Sequence, residues 1–235
     1  MLFRSWNVPS EWARAAAAQM DAYRQMGCIE TWTCAPYQTE YRPSFGDQIA
    51  SGESNAIAFF NSVIGARTER YPDLLDICAA ITGRAPAAGL HLSENRVATV
   101  ELRLSGVSAA LQDSDVFWPV LGFIVGREAA AGVPAVTGIN PAPTEDQMKS
   151  LGAAAASSGA VGLFHLVGHT PEAPTRATVC EEGIRVVEVD MERLQRARNH
   201  LSAKGHPFPN MVLLGSPHFS FDEFRAFASH AAGRT

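Results

Sequence analysis

Apolar positions along the chain follow two rhythms, and their alternation outlines the fold. At 97–104 and 185–189 Val and Leu alternate with polar partners, the period-two pattern of half-buried strands. Short apolar runs at 134–139, 161–167 and 211–214 read as buried strands, and 28–33 as a brief strand-like run. Between them lie helical stretches. Ser10 is positioned to cap a helix over 10–26 that Gly27 ends, and Ser51 to cap a helix over 52–64 that Gly65 stops. Gly83 closes a helix over 74–81, Asp115 begins one reaching 131, and Asp190 caps one running to 204 before Gly205. Thr144 with Gln147, and Ser220 with Glu223, have capping-box spacing. From Asp115 onward strand and helix alternate, which predicts an α/β fold with helices layered on a mainly parallel sheet. Neither an internal repeat nor a long linker marks a domain boundary.

Composition narrows the function classes. A chain of 235 residues can bury a real core. A net charge of −5 gives no basic footprint, so nucleic acid is not an expected partner. No apolar run approaches a membrane span, and the N-terminus carries no secretory pattern, so neither a membrane nor export is expected. The four cysteines, Cys28, Cys34, Cys78 and Cys180, are too sparse for a disulfide scaffold and form no C-x-x-C pair. A cytoplasmic protein with reduced thiols is the expectation. Phosphate loops, nucleophile elbows and metalloprotease helix motifs are missing from the sequence.

Candidate chemistry concentrates between Thr33 and Thr68. Cys34 sits in a loop bounded by Pro36, a setting that suits either an iron ligand or a buried free thiol. Glu53, Ser54 and Asn55 begin a predicted helix, where free N–H groups favour an anion and where polar residues also serve as caps. Ser62 interrupts an apolar helix face, beside Asn61. Arg67 follows the helix stop and can read a carboxylate bidentately. His91 and Glu94-Asn95-Arg96 fit a polar cluster at a strand mouth and a solvated turn equally well. His165 lies in a buried strand, with His169, Thr170 and Glu172 at its end, and His218 follows the run at 211–214. Cys28 and Cys78 are expected in the core, and Cys180 in a surface turn.

The blocks Thr33-Cys34-Ala35-Pro36-Tyr37, Glu53-Ser54-Asn55-Ala56, Asn61-Ser62-Val63-Ile64-Gly65-Ala66-Arg67-Thr68, Ala79-Ala80-Ile81-Thr82-Gly83 and Gly89-Leu90-His91-Leu92 resemble the aconitase X family. Weaker likeness continues at Phe164-His165, Thr170-Pro171-Glu172-Ala173 and Gly215-Ser216-Pro217-His218-Phe219-Ser220. The resemblance implies a hydro-lyase in which iron or an iron–sulfur cluster acts as Lewis acid on a departing hydroxyl. It assigns Cys34 to the metal. With that reading Glu53, Ser54 and Asn55 are expected in catalysis, and Arg67 in binding a small hydroxy acid substrate, with Ser62, His165, Thr170 and His218 as lesser candidates. A histidine placed like His165 is more often a satisfied core residue. The Cys34-Ala35-Pro36-Tyr37-Gln38 form is similar to the branch that dehydrates cis-3-hydroxy-L-proline. The other branch dehydrates a mevalonate phosphate, and a catalytically silent fragment or partner-binding subunit is a third reading. Some relatives have cysteine where this chain has Ser216. Family members carry further sequence on both sides and a swivelling domain, fused or as a small subunit. The chain is therefore expected to be part of a larger catalytic region.

Overall fold

The computed structural model describes residues 8–202, 205 and 214–233, in two compact units, 1–33 and 34–235. The first unit holds helix α1 (Ser10–Gln25), which buries none of its residues. Its N-cap is Pro9 rather than Ser10, because Ser10 already has helical backbone. Residues 28–33 form no strand; Arg24 and Trp32 instead converge on the Glu30 carboxylate and hold that stretch as a loop.

The second unit is built on four parallel strands, β1 (Val100–Leu104), β2 (Pro134–Thr137), β3 (His165–Leu166) and β4 (Arg185–Val189), in the order β3-β2-β1-β4. This is the α/β layering that the alternation predicted. Val100, Leu102 and Leu104 point to one face, where they join Trp118, Leu121, Val125, Leu151 and Phe164 in the main core. That face is covered by α5 (Phe117–Ala129), α6 (Glu145–Gly159) and α8 (Met191–Leu201). A shorter helix, α4 (Ala109–Gln112), follows β1, and α7 (Arg176–Val179) precedes β4.

Helices α5 and α6 approach closely because glycines line their contact. A Cβ on Gly122 would stand 2.8 Å from the Ala154 methyl carbon, and one on Gly126 only 2.5 Å from the Ala155 carbonyl oxygen. On the opposite face of the sheet, Ala98, Ala135, Ala173, Val179 and Cys180 pack together. Glu101, fully buried there, accepts from Arg176, Arg103 and Thr137. Burial pushes its carboxyl pKa up, but those hydrogen bonds together outweigh it and hold the group below its ordinary range.

Three elements complete the unit. Helix α2 (Ser54–Phe59) continues as a wider π turn through Phe60–Ile64 and ends on Gly65 at φ 77°. Helix α3 (Leu75–Thr82) ends on Gly83, and α9 (Phe221–Ala231) starts on the Ser220/Glu223 capping box. The Thr144/Gln147 box is also formed, at the start of α6.

The structure corrects several boundaries. The strand expected over 161–167 shortens to two residues because α2 takes the neighbouring backbone groups. Phe164 N–H donates to Ser62 Oγ at 2.8 Å, and the Gly162 carbonyl accepts from Asn61 Nδ2 at 2.8 Å. The N-cap of α2 is Glu53, not Ser51, since the Glu53 carboxylate reaches the Asn55 N–H. Cys28 and Cys78 are exposed rather than in the core; α3 buries none of its residues. Cys180 is buried rather than on the surface, because it lies against Ala98 and Ala135 on the second face. The strand expected over 211–214 falls mostly outside the described residues.

Candidate active site

Three segments distant in sequence meet at Cys34. The first is the Cys34 loop, turned by the short helix Pro36–Gln38. Tyr37 is buried in it, its ring stacked on Phe59 at 3.7 Å and set edge-on to Phe60 at 5.7 Å. The second is the start of α2. Asn55 spans both ends of the loop: its Nδ2 donates to the Cys34 carbonyl at 2.7 Å, and its Oδ1 accepts from the Tyr37 hydroxyl at 2.6 Å. Burial first, then the acidic groups of Cys34, Asp146, Glu223 and Glu53, push the Tyr37 pKa far above its ordinary value. Tyr37 therefore remains a hydrogen-bond donor.

The third segment leads into α9. The His218 backbone N–H donates to Cys34 Sγ at 3.1 Å, while the His218 carbonyl accepts from Lys149 Nζ at 3.3 Å. Lys149 rises from the first turns of α6 and also pairs with Asp146 at 2.9 Å and with Glu223. Asp146 in turn accepts from Ser220 Oγ at 2.6 Å and from Gln38 Nε2 at 3.2 Å. Arg42 grips Glu145 with both arms of its guanidinium, at 2.6 and 2.9 Å. The first turns of α6 thus bind the Cys34 loop on one side and the approach to α9 on the other.

Apart from Arg67, the candidate residues fall into two groups. Cys34, Glu53, Asn55 and His218 belong to the junction just described. Glu53 occupies the start of α2 with its own carboxylate, 3.3 Å from the Asn55 N–H, and Ser54 is exposed beside it. Ser62, His165 and Thr170 instead join a buried cluster around Arg96. Arg96 Nε meets both Glu172 oxygens at 2.8 and 3.0 Å, and its Nη1 reaches Asn61 Oδ1 and the Leu90 carbonyl at 2.9 and 2.8 Å. His165 Nε2 lies 2.7 Å from the Arg96 carbonyl, so Nε2 carries the proton. Nδ1 then faces the interior as a bare acceptor with no partner among the described residues. Burial lowers the His165 pKa and keeps the ring neutral. The Ser62 and Thr170 hydroxyls are engaged with main-chain groups of 164 and 166.

Arg67 donates to the His91 carbonyl at 3.2 Å and Ser93 Oγ at 2.8 Å. His91 is buried between the Tyr71 hydroxyl at 2.7 Å and Gln48 Oε1 at 2.6 Å, and burial lowers its pKa. Lys149 and Asp146 escaped the sequence reading. The available signal was a lone basic residue beside Met148 on a stripe that continues through Leu151, Gly152 and Ala155, all of them buried.

Comparison with known proteins matches residues 2–94 to the aconitase X first domain and residues 98–199 to the aconitase X second domain. The chain belongs to the aconitase X family. It is 42% identical over 236 residues to a cis-3-hydroxy-L-proline dehydratase from Hypocrea jecorina, and 40% identical over 235 residues to one from Pseudomonas aeruginosa. Each match covers 99% of this chain but only 39% and 40% of the relative. A phosphomevalonate dehydratase large subunit from Methanothermobacter thermautotrophicus is 40% identical over 227 residues, covering 97% of this chain and 55% of that protein. In three dimensions the chain is similar to the holo-form of aconitase X from Thermococcus kodakaraensis, with a TM-score of 0.84 and 33% identity, over 94% of this chain and 55% of the other. The chain thus spans about two-fifths to a little over half the length of these relatives.

Proposed function

We propose that this chain is the Cys34-bearing part of a dehydratase that removes water from cis-3-hydroxy-L-proline. The observation that carries the proposal is the match, along 99% of the chain, to two relatives bearing that activity in their names. The polar junction at Cys34 supplies a local reason. The basic side chains flanking it, Arg42 and Lys149, are both committed to carboxylates. A site with its cations so engaged suits a zwitterionic amino acid better than a phosphate ester, which asks for free Arg or Lys. Mevalonate phosphate remains the second reading, because the phosphomevalonate dehydratase subunit is also 40% identical.

An iron or iron–sulfur cofactor fits Cys34 as one ligand. Its thiol is half-buried in a fixed loop, and its sulfur already receives one amide N–H, a common second interaction of cluster-bound sulfur. Among the described residues no group of three or more His, Cys, Asp or Glu could hold a metal, so Cys34 is the one ligand proposed from them. When bound, the iron would withdraw electrons from the substrate hydroxyl. The chain's own residues would position the cysteine and the substrate. Asn55 fixes the loop, and Ser54, exposed at the start of α2, is available to a substrate carboxylate. Arg67 would supply a further donor. The proton-abstracting serine of the family's swivelling domain would be contributed by a fused or separate partner. A small-molecule substrate and that domain are the expected partners, and no described helix is long and apolar enough to cross a membrane.

The test is anaerobic reconstitution with iron and sulfide, followed by iron per chain and dehydratase activity on cis-3-hydroxy-L-proline and mevalonate 5-phosphate. The chain is assayed alone, with the relatives' additional segments in trans, and as Cys34→Ala. Iron that depends on Cys34, with hydroxyproline turnover only when the segments are present, supports the proposal. Iron uptake unaffected by Cys34→Ala, or no turnover in any mixture, refutes it.

A further inference from the structure

We infer that Lys149 is a positioning residue for Cys34, acting through the 216–223 segment; the inference rests on the reading of Cys34 as an iron ligand. An ammonium group has three N–H bonds to give. Lys149 finds three acceptors, Asp146, Glu223 and the His218 carbonyl, and is itself only 3% exposed. None of its donors is left for a substrate, so its role is mechanical. A buried cation is costly unless its partners are in place. Two of those partners, Glu223 and the His218 carbonyl, arrive only when the approach to α9 is seated on α6. Desolvation of Lys149 and seating of that segment are therefore a single event.

The seated segment needs such an anchor. Ser216 has φ 72°, a left-handed conformation that an L residue with a side chain adopts only against its steric preference. Two residues later the chain presents the His218 N–H to Cys34 Sγ and the His218 carbonyl to Lys149. One peptide-linked residue thus joins the ammonium to the sulfur. Ser220 adds a second tie through Asp146. Holding the His218 amide against the sulfur restricts the Cys34 side chain to one direction, which a metal ligand requires.

Thiol labelling reads this clamp without iron. Iodoacetamide modification of all four cysteines is followed by peptide mass spectrometry at pH 9.5, above the ordinary thiol pKa of about 8.5, so that access decides the rate. Cys28 and Cys78, both exposed, serve as references, and buried Cys180 reports general loosening. In Lys149→Met, Cys34 is expected to label about fivefold or more faster, with the references unchanged and Cys180 still protected. Lys149→Arg, which can restore the ion pairs, is expected to stay near the parent rate. Hydrogen exchange should quicken in peptides covering 216–223 in the Met variant alone. Lys149→Met/Glu223→Gln, which leaves one fewer unpaired carboxylate, serves if the single variant does not fold. An unchanged Cys34 rate with Cys180 protected overturns the inference, as does acceleration of Cys34 and Cys180 together. Failure of the iron reading shows separately, as iron uptake indifferent to Cys34→Ala while the labelling pattern stands.

Discussion

Asn55 allows a quantitative test of how the Cys34 loop is held. Its side chain makes three contacts, to the Tyr37 hydroxyl at 2.6 Å, the Cys34 carbonyl at 2.7 Å and Glu53 Oε1 at 3.3 Å. In Asn55→Ala the Tyr37 hydroxyl, 1% exposed, cannot turn to water and loses its acceptor. A stranded buried group of that kind costs about 1–3 kcal/mol, and the partly accessible Cys34 carbonyl adds less than about 1. A loss of about 3 kcal/mol is expected. Tyr37→Phe should cost about 1–2 kcal/mol, because it strands Asn55 Oδ1 instead. The double variant removes donor and acceptor together, so it should cost about 1–2 kcal/mol less than the sum of the singles. The assay is urea unfolding of all four proteins. With a slope of about 2 kcal/mol/M, Asn55→Ala should move the midpoint down by about 1.5 M. If the singles add to within about 0.5 kcal/mol, the hydroxyl–amide bond does not hold the loop and the reasoning fails.

Three other outcomes follow from the same contacts. Ser62→Ala strands the buried Phe164 N–H and should cost about 1–3 kcal/mol in urea unfolding; in the reconstituted enzyme KM should stay within about twofold, and a large rise in KM would return Ser62 to the substrate. Burial lowers the pKa of His91 and His165 in the folded state from 6.5, so the unfolded chain binds the extra protons as pH falls. Their contribution is present above about pH 6.5 and is lost below it, so the urea midpoint should drop between pH 7.5 and 5.5, and less steeply in His165→Gln. Gly126→Ala forces a methyl to 2.5 Å from the Ala155 carbonyl oxygen and should cost about 2–4 kcal/mol, read as a lower thermal midpoint.

The sheet and its caps were legible because each rests on local pattern. Val100, Leu102 and Leu104 alternate with polar residues and do line the core, and both capping boxes close on residues three apart. What escaped depended on distant partners. Nothing near Phe164 in the sequence shows that Ser62, 102 positions earlier, will take its N–H and cut the strand short. Lys149 looked like one more polar residue on a helix, since its carboxylate Glu223 lies 74 positions away. Cys180 sat beside two glutamates, yet the residues that bury it, Ala98 and Ala135, come from other parts of the chain. Cys34 stood out through its loop and its family resemblance, while the contact that orients its sulfur was invisible.

That contact also bears on the order in which the molecule assembles. The Cys34 sulfur and the His218 amide are 184 positions apart, whereas β1 and β2 pair Val100 with Pro134 across a much shorter span. Closing a flexible loop of that greater length costs on the order of 4–5 kcal/mol of chain entropy. Little repays that cost until the sheet and α6 exist as a surface to close on. Hydrophobic collapse can therefore finish while the junction is still open, and the contact that orients the Cys34 sulfur is among the last to form.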